Sequence, residues 1–114
     1  MNSNWYTDNR NPVPITYTDA ELNDIIAKYI SESRIEFYFN DLCYSILYKA
    51  KQEKKVKDAE HVAYLSSDLS YIDLIRVSRI LWEYIWKKEL FIAFGDSKNQ
   101  SYIPGNTRFI KTNI

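Results

Sequence analysis

The sequence predicts a mainly α domain that ends in a small C-terminal β-hairpin and is preceded by an extended N-terminal arm. Three observations carry this. Apolar residues recur at helical spacing in separated stretches. Both glycines of the chain, Gly95 and Gly105, lie in "GDSKNQSYIPGN" together with Pro104, so sharp reversal is concentrated in one loop. That loop is flanked by "LFIAF" and "TRFIKT", short segments whose aromatic and branched residues suit strands. With 114 residues, 46% of them hydrophobic, the chain reads as one domain that can bury a core without a disulfide or metal.

Residues 1–17 read as the arm: polar, Asn-rich and held extended by Pro12 and Pro14. The single domain spans 18–114 and begins with a helical extension. In "TDAE", Thr18 is the expected N-cap and Glu21 the third residue of a capping box. Leu22, Ile25, Ile26, Tyr29 and Ile30 then form one apolar face. "RIEFYF" is either a short strand or a continuation, since Ile35, Phe37 and Phe39 alternate. Asn40 is the expected N-cap of a helix to about Lys55, with Cys43, Ile46, Leu47 and Ala50 inside and lysines at the negative end of its dipole. A short helix from about Asp58 to Leu65 and the turn "SSDLS" lead to a longer helix from Tyr71 to about Lys88. Leu74, Val77, Leu81 and Ile85 lie along one side of that helix. Trp82 and Trp86 share a neighbouring stripe.

Charge excludes little. The formal net charge is zero, which weighs against strong nonspecific nucleic-acid binding. Its distribution is uneven: "KAKQEKKVK" (49–57) holds five Lys against one Glu. That run is either a phosphate-binding surface or, the reading we favour, a solvated helix end. The single cysteine, the lack of a signal-peptide pattern at the start and the lack of a long apolar run point to a cytoplasmic protein with no membrane contact. Abundant Asn, Ile, Lys and Tyr suggest an AT-rich genome such as that of a virus or mobile element.

The order helix, short helix, turn, longer helix, strand, polar loop, strand resembles a winged helix-turn-helix domain. "DAEHVAYL" and "IRVSRILWEYIWKKELF" carry the likeness as the paired helices, over roughly residues 40–112. The resemblance implies a winged-helix-like fold with an N-terminal arm and an extra helix. It also implies a DNA-binding transcription regulator whose 71–88 helix enters the major groove of double-stranded DNA. Tyr71, Asp73, Arg76, Ser78 and Arg79 would then lie near base edges, with arginine suited to guanine. Lys98, Asn99, Gln100, Arg108 and Lys111, on the 90–112 hairpin, would meet the backbone.

This sequence departs from the pattern in two ways. The turn "SSDLSY" is longer than usual, and Trp82, Tyr84 and Trp86 crowd the second half of the helix. Winged-helix folds also serve as protein-binding scaffolds. The alternative is therefore an inhibitor or adaptor of phage or plasmid origin that binds a protein through Trp82, Trp86 and Tyr102 and touches no nucleic acid. A homodimer through the extension and the Trp stripe is a further expectation. Arg79, Glu83 and Lys87 at i, i+4 spacing also fit an ordinary solvated helix face.

Catalysis finds little support. There is one His and one Cys, and Cys43 falls on an apolar stripe. No Cys/His set has zinc spacing and no Gly-rich loop could cradle phosphates, so neither a metal nor a cofactor is expected.

Overall fold

A computed structural model of the chain describes residues 12–57, 68–94, 103 and 105–112. They form α1 (Asp19–Glu32), β1 (Glu36–Tyr38), α2 (Phe39–Gln52), α3 (Tyr71–Trp86), β2 (Leu90–Phe94) and β3 (Arg108–Lys111). The segment expected to form the short helix at 58–65 lies outside the described residues.

α1 starts as its local sequence dictates. Thr18 Oγ1 accepts from the Glu21 amide at 3.1 Å, while the Glu21 carboxylate accepts from the Thr18 amide at 2.8 Å. Leu22, Ile26 and Ile30 are buried, and Ile25 and Tyr29 pack at the margin. The far end has no cation in its own last turn. Lys111 supplies one from β3: its Nζ donates to Ile30 O at 2.8 Å and Ser33 O at 3.2 Å.

The β structure is larger than the expected hairpin. Three strands form an antiparallel sheet in the order β1-β3-β2, with Phe37 opposite Phe109 and Phe109 opposite Ile92. Of the two possibilities left open for "RIEFYF", the chain takes the strand. Alternation explains the choice, because Phe37 faces inward between Glu36 and Tyr38, which do not. Phe37 stacks on Phe109 at 5.4 Å and meets the edge of Tyr29 at 5.5 Å, which joins sheet to α1.

α2 begins earlier than expected. Its N-cap is Tyr38, not Asn40, and no side chain caps it. The residues leading into β3 take that role, since Phe39 N donates to Thr107 O at 2.9 Å and Asn40 N to Gly105 O at 3.0 Å. Gly105 permits this close approach: a Cβ there would lie 2.7 Å from Asn40 Oδ1. Cys43, Ile46, Leu47 and Ala50 form the predicted inner stripe, and Phe39 and Leu42 are buried with them.

Both α2 and α3 stop a few residues short of the expected boundaries, for one reason. Lys54 (φ 57°) and Lys88 (φ 63°) take the left-handed conformation. The next amides reach back into each helix, Lys55 N to Ala50 O at 2.8 Å and Glu89 N to Tyr84 O at 2.9 Å. This closure normally favours glycine, but lysine takes it at both ends, so no glycine in the sequence marks either boundary.

The end of the arm is extended, as its prolines require, but it belongs to the core. Ile15 bridges Val56, with Thr16 N donating to Lys55 O at 2.7 Å and Lys57 N to Pro14 O at 2.9 Å. Ile15 and Tyr17 are buried in the same cluster as α1, α2, α3 and the sheet.

Candidate functional site

The sequence places the candidate site on α3. Ser70 caps this helix, its Oγ accepting from Asp73 N at 3.2 Å. Val77, Ile80 and Leu81 are buried, and Leu74 and Ile85 pack beside them. That inner face leaves an outer one, and its composition decides what α3 can do.

Arg76 leaves the outer face to act as a clamp. Its guanidinium donates to Asp19 Oδ1 at 2.9 and 3.1 Å, to Tyr17 O at 2.7 Å and to Asp73 Oδ1 at 3.1 Å. Asp73 is buried, and its Oδ2 accepts from Ile15 N at 2.9 Å and Ser70 Oγ at 2.8 Å. One carboxylate and one guanidinium thus tie the arm, the start of α1 and the first turn of α3 together. A buried carboxylate is tolerable only with such partners. Arg76's donors are committed inside the fold rather than offered to a base.

Other expected contacts are also occupied. Ser78 is buried, and its Oγ accepts from Ile103 N at 2.9 Å. Lys111 caps α1, as above. Arg108 Nε lies 3.4 Å from Glu36 Oε1, a diagonal cross-strand ion pair that leaves Nε buried without a hydrogen bond. Lys98, Asn99, Gln100 and Tyr102 lie outside the described residues. Of the expected DNA contacts, Tyr71 and Arg79 remain on the exposed surface.

The outer face is largely apolar. Ile72, Ile75, Arg79, Trp82 and Trp86 follow one another at spacings of three, four, three and four, which puts them on one line. Ile72 is 63% and Trp86 73% exposed. Ile75 and Trp82 are half-buried, Trp82 resting on the core, and Arg79 and Glu83 are exposed. The stripe is about 21 Å long at 1.5 Å per residue. The two expected partner-binding residues that are described, Trp82 and Trp86, lie together on it. Ile72 and Ile75 were not among the expected site residues, although their spacing to Trp82 and Trp86 already marks a second apolar line on a helix that has one.

Burial pushes the Cys43 thiol up to about 12, which favours the protonated form at neutral pH. Among the described residues, no group of three or more His, Cys, Asp and Glu is placed to hold a metal ion, and no helix is long and apolar enough to cross a membrane. Comparison with protein-family models, curated proteins and solved structures finds no match to this chain.

Proposed function

We propose that this chain is a small protein-docking module on a winged-helix-like scaffold, an adaptor or inhibitor in which the outer face of α3 meets protein rather than DNA bases. One observation supports this above the others: the outer line of α3 reads Ile, Ile, Arg, Trp, Trp. A helix that carries apolar residues on both faces is normally covered on both. Base reading needs donors and acceptors that reach into the groove, and the binding of Arg76 and Ser78 within the fold removes two of them. Aromatic anchors of the Trp86 kind are the residues that dominate protein interfaces.

A second reading keeps the DNA-binding regulator. It is favoured by exposed Arg79 at the middle of α3 and by the strands that follow this helix. Fluorescence anisotropy with a labelled duplex, at low and at near-physiological salt, separates the two. The docking reading expects no saturable binding that depends on Arg79. Binding that falls steeply with salt and is lost in Arg79→Ala would overturn it. Ile72→Ser with Trp86→Ser should leave the fold intact, because both side chains point outward.

A further inference from the structure

The outer line of α3 also says what could cover it. Its 3-4-3-4 spacing is that of a coiled-coil seam, and a seam needs another helix against it. We propose that the occupant is a second copy of this chain, packed α3 to α3 in antiparallel orientation about a two-fold axis. This rests on the docking reading and makes its partner specific.

Self-complementarity argues for the second copy. An antiparallel seam centred between residues 80 and 81 sets Ile75 against the partner's Trp86, and Arg79 against the partner's Trp82. The two-fold repeats both pairings, so Ile75 of each copy meets an indole and each guanidinium meets an indole face, where a cation is attracted, while Ile72 lies beyond the overlap. The same register brings Arg79 beside the partner's Glu83, so the charges at the centre are opposite. A like-charged Arg79 pair, which a seam centred on Arg79 would create, is avoided. Arg79 therefore has a place in an otherwise apolar line, as single polar seam residues do when they fix register.

The dimer is modest. The helices overlap over residues 75–86, about 17 Å at 1.5 Å per residue, which covers less than the about 800 Å² per partner of a standard stable interface. Dissociation is therefore expected in the micromolar range, with monomer dominant on dilution.

Sedimentation equilibrium of the full chain across a dilution series tests this. A monomer–dimer equilibrium is expected, weakened at least tenfold by Trp86→Ser and by Arg79→Glu. Combining Arg79→Glu with Glu83→Arg should restore much of the association, because the charge pair is rebuilt with reversed sign; unfolded variants would not recover. A strict monomer at all concentrations overturns the proposal, as does a dimer indifferent to these changes. A monomer that also binds duplex through Arg79 sinks the docking reading as well, whereas a monomer that ignores DNA sinks the second copy alone.

Discussion

Replacing Asp73 by Ala should be among the most damaging single changes, because it removes the centre of the clamp that closes the fold. The buried carboxylate accepts from Ile15 N, Ser70 Oγ and Arg76. Each hydrogen bond to a charged group contributes about 1.5–3 kcal/mol. The three share one carboxylate, so their losses do not add. Breaking a buried ion pair by removing one partner costs about 3–5 kcal/mol. Arg76 is 20% exposed and keeps Asp19 and Tyr17 O, which puts the loss near the lower figure. We expect about 3 kcal/mol, against a total stability of about 5–15 kcal/mol for a domain of this class. Urea unfolding followed by tryptophan fluorescence reads it directly. Asp19, the clamp's other carboxylate, is 85% exposed, so Asp19→Ala should cost only about 1 kcal/mol or less. The reasoning fails if Asp73→Ala costs under about 1 kcal/mol or if the two variants are equally damaging.

Three further outcomes follow from the same structure. Lys88→Gly should raise stability by about 0.5–1 kcal/mol in thermal unfolding, because a left-handed lysine carries strain that glycine lacks. Alkylation of Cys43 in the native protein should stay slow from neutral pH to well above 9 and become fast in denaturant, because the buried thiol is held up to about 12. The Glu21 carboxyl is lowered by its Thr18 backbone hydrogen bond, and that of Glu53 by hydrogen bonds from Lys49 and Tyr17. Folding thus favours their ionised forms, so their contribution is complete above the ordinary value of 4.5 and is lost as pH falls through the lowered values. Glu21→Gln and Glu53→Gln should flatten that acid limb in unfolding midpoints measured against pH.

What could be read from the sequence was mostly what is local. The Thr18–Glu21 box, the inner stripe of α2 and the start of α3 are each written within a few residues of one another. Interactions between distant residues stayed hidden. Arg76 looked like a free cation because its partners Asp19 and Tyr17 lie 57 and 59 positions away. Lys111 looked like a phosphate contact because the helix end it caps is 81 residues upstream. β1 was only half visible: three alternating residues cannot announce a strand until β3 arrives beside them. The N-cap at Asn40 was misplaced for the same reason, since backbone carbonyls of Gly105 and Thr107 do the work a side chain would otherwise do. The outer line of α3 was legible as spacing. Its meaning was not, because exposure of Ile72 and Trp86 depends on which face the core takes.

Residue-resolved amide chemical shifts of the labelled protein, recorded on dilution and again with excess duplex DNA, test the central claim most directly. The account predicts that dilution moves Ile75, Arg79, Trp82, Glu83 and Trp86 together while duplex leaves α3 unmoved. Shifts on adding duplex that centre on Tyr71, Arg79 and Arg108, with no response to dilution, would contradict it.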